Sequence, residues 1–129
     1  ITDMAMGKTI DEARKLKKII VITGSAQDEL LTTLNFRNVI RKPTKDFHLY
    51  LQRGQVDAIF SAKLEVAYLW KQSNIGEKLQ YGKALSSLPL WLAINKESDK
   101  INDEDWINAF KQVKESGFYD AVFKKYFGE

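Results

Sequence analysis

The chain has 129 residues, 44% hydrophobic and 12% aromatic, enough for one domain of ordinary size with a real core. Twenty Lys+Arg against 17 Asp+Glu give a net charge of +3 with no basic block or arginine-rich helix, which argues against nucleic acid as a partner. The absence of Cys excludes disulfides, thiolate metal sites and a cysteine nucleophile while leaving the compartment open, and no apolar run spans a membrane or reads as a signal peptide.

A chain that opens on Ile1 in place of Met reads as a processed piece of something longer. Residues 1–6 pattern as a short strand ending at Gly7. Thr9-Ile10-Asp11-Glu12 fits a capping box for a short helix that buries Ile10, Ala13 and Leu16. The β-branched run over residues 19–23 reads as a strand buried on both faces, so parallel, helix-covered neighbours are expected. Gly24 permits a tight turn, and Ser25 is placed to cap a helix with Leu30, Leu31 and Leu34 on one face. A turn over residues 35–37 leads to a strand over 38–42, ended by Pro43. Thr44 then caps a helix that buries Phe47, Tyr50 and Leu51 and stops before Gly54. His48, the single histidine, lies one position from that stripe and is expected at the surface or partly packed. A third strand over residues 56–60 passes through Ser61-Ala62-Lys63 into a helix carrying Leu64, Tyr68 and Leu69 or Trp70, closed near Gly76. This alternation argues for βαβ units and a parallel sheet.

The rhythm then changes. Residues 79–83 pattern as a short strand, and residues 88–95 as a long apolar strand that begins on a proline. The polar turn over residues 96–100 is the best boundary in the chain. Beyond it Asp103 is expected to cap a helix with Trp106, Ile107, Phe110 and Val113 on one face, ended by Ser116-Gly117. A last amphipathic helix carries Phe118, Val122, Phe123, Tyr126 and Phe127.

No Ser-His-Asp set, metal-ligand cluster, P-loop or dinucleotide fingerprint can be assembled, so no catalytic residue, metal or cofactor is expected. Asp57 sits at the start of its strand, the wrong edge for a phosphoacceptor. Three parallel strands would bring Gly24, Ser25, Ala26 and Gln27, Arg41 with Lys42, and Ser61, Ala62 and Lys63 to one rim of the sheet. A helix N-terminus there offers unpaired N–H groups to an anion. The amides of Ser25 and Ala26 are expected to point outward, with a Cβ at position 24 crowding the ligand. A small polar or acidic molecule is therefore the expected partner.

The stretches Gly-Lys-Thr-Ile-Asp-Glu-Ala-Arg-Lys-Leu, Val-Ile-Thr-Gly-Ser-Ala-Gln-Asp-Glu-Leu-Leu, Leu-Gln-Arg-Gly-Gln-Val-Asp-Ala-Ile-Phe, Pro-Leu-Trp-Leu-Ala-Ile-Asn-Lys and Gly-Phe-Tyr-Asp-Ala-Val-Phe-Lys-Lys-Tyr, in that order, resemble family 3 extracellular solute-binding proteins. These are the type 2 periplasmic binding proteins, many of them amino-acid receptors of ABC importers, and the resemblance runs from about Lys8 to the C-terminus. It implies an α/β fold of two lobes that close like a hinge on a ligand. Residues 1–83 would be the second lobe, a parallel-rich sheet flanked by helices. Residues 84–129 would be the return strand and two C-terminal helices of an incomplete first lobe. It further implies a non-catalytic receptor, periplasmic or extracellular, with an ABC-transporter membrane subunit as partner. The same fold also serves as a sensor lobe of membrane proteins or a regulatory lobe of cell-wall enzymes, and a lobe that has lost ligand binding fits as well.

Within the resemblance, Gly24, Ser25 and Ala26 match a turn that holds a ligand carboxylate, and Ala26 lacks the hydroxyl. Ala62 stands where amino-acid binders place the Asp that holds the α-ammonium. Asp57 lies at the opposite edge, and Glu65 about one turn from the rim, so negligible affinity for free α-amino acids is expected. The aromatic residues of the last two helices would normally cover first-lobe sheet. They are expected to bury themselves on the second lobe, on a second copy as a homodimer or domain swap, or on a missing fragment.

Overall fold

The run Ile19–Ile22 forms the central strand, β1, and its Ile19, Ile20 and Val21 are almost wholly buried, as β-branched residues covered on both faces should be. A computed structural model of the chain describes residues 10–43, 46–82, 84–87, 93, 95–96 and 102–127. It has two compact units, Ile1–Ser87 and Leu88–Glu129. In the first, α1 (Ile10–Arg14) precedes β1, and α2 (Ala26–Thr33), β2 (Val39–Lys42), α3 (Phe47–Gln52), β3 (Ala58–Ile59) and α4 (Lys63–Gln72) follow. The sheet order is β2-β1-β3 with every pair parallel, Ile19 lying opposite both Val39 and Ala58. The chain is thus of mixed α/β class.

Alternation along β1 divides the core in two. Ile19 and Val21 pack with Ala13, Leu31, Phe36 and Phe60 on the α1 and α2 side. Ile20 packs with Phe47, Val56, Ile59 and Val66 on the α3 and α4 side. Leu30 and Leu34 join the first cluster as expected, and Tyr50 and Leu51 the second. Arg14 lies over the Phe36 ring, 4.5 Å from its centroid, and donates to the carbonyls of Leu34 and Asn35, closing the C-terminal end of α2.

Several expectations are corrected. Ile10 is exposed. In α4 the buried residues are Val66 and Trp70, with Leu69 packed beside Val66, whereas Leu64 and Tyr68 are exposed. Both sets have helical spacing, and the sheet selects the one that faces it. Trp70 is fixed by its indole N–H, which donates to the Glu77 carbonyl at 2.7 Å. His48 is buried, and its Nε2 lies 2.8 Å from Ser73 Oγ, tying α3 to the C-cap of α4. The third strand is only two residues long. Asp57, the residue before it, accepts the Lys18 N–H at 2.7 Å on its carboxylate and so caps the amino edge of β1, which keeps this acid away from the opposite rim. Of residues 79–82, only Tyr81 makes an isolated bridge.

The second unit contributes α5 (Asp103–Glu115) and α6 (Phe118–Phe127). Asn102, not Asp103, caps α5, its side-chain oxygen accepting the Asp105 N–H at 2.8 Å. Phe110 meets Tyr119 edge to face at 5.9 Å, and Gly117 turns the chain between the helices at φ +75. Within this unit no residue of either helix is buried, and Trp106, Ile107, Phe110, Phe118, Phe123 and Tyr126 are exposed. The strand over residues 1–6, the Thr9 and Thr44 caps, and most of the strand over 88–95 and the turn over 96–100 lie outside the described residues.

The two stripes of α4 should separate in urea denaturation. Val66→Ala is expected to cost about 2 kcal/mol and Leu64→Ala less than about 0.5 kcal/mol.

Candidate functional site

The strand order creates one distinctive place. Adjacent strands β1 and β3 run parallel, but the helix following β1 covers one face of the sheet and the helix following β3 the other. Their carboxyl ends therefore flank a topological switch point, where open α/β sheets bind ligands. Gly24, Ser25, Ala26 and Gln27 stand on one side of it, Ser61, Ala62 and Lys63 on the other.

Gly24 has φ +72 with no atom within 4 Å of the position a Cβ would take. Backbone conformation, not crowding, therefore demands glycine here. Ser25 is the N-cap of α2, and its hydroxyl accepts the Asp28 N–H at 3.2 Å. The Ser25 N–H is spent on the Ile22 carbonyl at 3.2 Å, so it does not point outward as expected. The amides of Ala26 and Gln27 have no hydrogen-bond partner among the described residues, and Ala26 is exposed. The anion-directed end of α2 is thus displaced one residue from the expected pair.

Asp28 organises the turn. Its Oδ2 accepts the Gly24 N–H at 3.0 Å and its Oδ1 the Arg41 Nε–H at 2.7 Å. Arg41 also donates from Nη2 to Thr32 Oγ1 at 3.0 Å. The Gly24 N–H, followed by the Arg41 guanidinium, holds the Asp28 carboxyl below its ordinary range although burial pulls the other way. Arg41 was expected to face a ligand. It is instead an ion-pair partner of α2 whose side chain remains 42% exposed.

Across the switch point Ser61 Oγ donates to Glu65 Oε2 at 2.8 Å, drawing that carboxylate back toward the first residues of α4. Ala62 occupies the N-cap position with no side-chain cap bond. Lys63 Nζ lies over the Tyr81 ring, 5.0 Å from its centroid. The role of Asp28 and the pairing of His48 with Ser73 are what the sequence does not announce, whereas Glu65 stands about one turn from the rim as expected. Among the described residues no group of three His, Asp or Glu side chains could hold a metal ion, and no helix is long and apolar enough to cross a membrane. No family model matches the chain, and no solved structure matches it.

Asp28 makes stability depend on acid. A carboxyl lowered in the folded state contributes stability above its unfolded value, close to 3.8, and loses that contribution as the pH falls through the lower folded value. Asp28→Asn should cost about 1–3 kcal/mol at neutral pH and flatten the loss of stability below pH 3.8, measured by urea denaturation across pH.

Proposed function

We propose that the first unit binds a small anionic solute at the carboxyl rim of its parallel sheet, without catalysis. In this reading it is the second lobe of a solute-binding protein of the family 3 type, periplasmic or extracellular, which delivers its ligand to an ABC-transporter membrane subunit. One observation carries the reading. The neighbouring amides of Ala26 and Gln27 have no partner among the described residues and stand at the start of an eight-residue helix, on the switch point of the sheet. Such amides, at the positive end of a helix dipole, suit a carboxylate, sulfate or phosphate oxygen.

Asp28 supports the reading by its position. By satisfying the Gly24 N–H and holding Arg41, it fixes the backbone that leads to the amides of Ala26 and Gln27 and accepts from neither of them. Ala62 offers no carboxylate to a ligand ammonium, and Glu65 is already engaged by the Ser61 hydroxyl. A ligand without an ammonium is therefore favoured, because an ammonium that exchanges water for an uncompensated site forfeits about 1–3 kcal/mol.

Titration of the full chain with acetate, sulfate and the twenty amino acids tests this, read by calorimetry and by the backbone amide resonances of Ala26 and Gln27. Saturable shifts of those amides with acetate or sulfate are expected, with no amino acid binding more tightly than acetate. The reading fails if neither anion moves them. Micromolar affinity for an amino acid, abolished by Glu65→Gln, would show that Glu65 supplies the counter-charge and that the preference against an ammonium is wrong.

A further inference from the structure

A second concavity lies beside β2 on the α3 side of the sheet, lined by Lys42 at the carboxyl rim and by Lys18 at the opposite edge. It has a volume of about 410 Å³ and is lined by Lys18, Ile40, Lys42, Tyr50, Gly54 and Gln55. That volume falls within the range of about 300–1,000 Å³ found for small-molecule sites, and the concavity is largely open to solvent. Ile40 and Lys42 share a face of β2, being two residues apart, and Ile40 and Tyr50, both partly buried, pack against the core cluster around Ile20. The floor is therefore apolar and aromatic and rests on buried core.

The walls are cationic. Lys42 Nζ lies 5.5 Å from the centroid of the Tyr50 ring, and neither Lys42 nor Lys18 has a carboxylate within ion-pair distance among the described residues. The nearby Asp57 carboxylate is bonded to the backbone N–H of Lys18, not to its ammonium. At the end of α3, Gly54 turns at φ +65 with open space where a Cβ would stand, and Gln55, whose backbone N–H donates to the Tyr50 carbonyl at 2.9 Å, lines the cavity. Two ammonium groups without counter-ions, one aromatic wall and one side-chain amide complement a particular ligand class. An anionic head is attracted by both lysines, and a flat apolar body can rest on Ile40 and Tyr50.

We propose that this cavity is a binding site for a small organic anion of that kind, an aryl or comparable phosphate ester, distinct from the amides of Ala26 and Gln27. Lys18 and Lys42 hold the anionic head, Ile40 and Tyr50 receive the body, and Gln55 orients it.

Phenyl phosphate, inorganic phosphate and phenol serve as probes, each titrated into the full chain and followed through the amide resonances of Gly54 and Gln55. Phenyl phosphate should shift both amides saturably and bind about tenfold more tightly than either fragment alone. Lys18→Ala and Lys42→Ala should each weaken it by about fivefold, while Lys42→Arg retains most of the affinity. Far-ultraviolet circular dichroism identifies any variant that fails to fold. The proposal is overturned if these amides do not move saturably, or if both alanine variants fold and bind phenyl phosphate as the parent does. Shifts confined to Ala26 and Gln27 would also overturn it and would assign the anion to the rim, so the two sites fail independently.

Discussion

The carboxylate of Asp28 is the group on which the geometry of the rim depends. Gly24 bends the chain at a positive φ, and a turn so conformed needs something to hold it against the many other states open to glycine. Asp28 does so from within the following helix, accepting the Gly24 N–H on one oxygen and the Arg41 guanidinium on the other. Strand β1, helix α2 and strand β2 thus meet at a single acid, 11% exposed at its side chain. A carboxylate at the first turn of a helix also satisfies the helix dipole. The same acid therefore fixes the backbone and neutralises part of the charge that an anion would otherwise see. Any anion at this rim would meet the protein's own carboxylate, and the amides of Ala26 and Gln27, which have no partner among the described residues, are what remains for it.

Features set by local chemistry were legible in the sequence. The β-branched run of β1, the Ser25 cap, the glycine turn and the strand stopped before Pro43 each follow from residues adjacent in the chain, and the parallel sheet follows from their alternation. Features set by distant pairing were not. Asp28 and Arg41 are 13 residues apart, His48 and Ser73 are 25 apart, and nothing in either segment names its partner. The acid at position 28 reads in sequence as one of two first-turn carboxylates, Asp28 and Glu29, and only the fold selects which turns inward. Helix α4 offered two apolar stripes at similar spacing, so sequence alone had no means of choosing between Leu64 with Tyr68 and Val66 with Trp70.

The two units differ in how they use apolar side chains. The first buries its β-branched and aromatic residues on both faces of a short sheet, which gives the rim a rigid base. The second gathers Phe110, Tyr119 and Phe123 into ring contacts along one helical hairpin, yet leaves them exposed. An exposed aromatic face of this kind is usual where a surface meets another surface, and rare on an isolated pair of helices.

Native-state hydrogen exchange of the ligand-free chain, resolved at single amides, tests the central claim most directly. If Asp28 holds the turn and leaves its neighbours to a solute, the Gly24 amide exchanges slowly, while those of Ala26 and Gln27 exchange at close to the rate of an unstructured peptide. A fast Gly24 amide, or protected amides at Ala26 and Gln27 in the absence of any anion, would contradict the account.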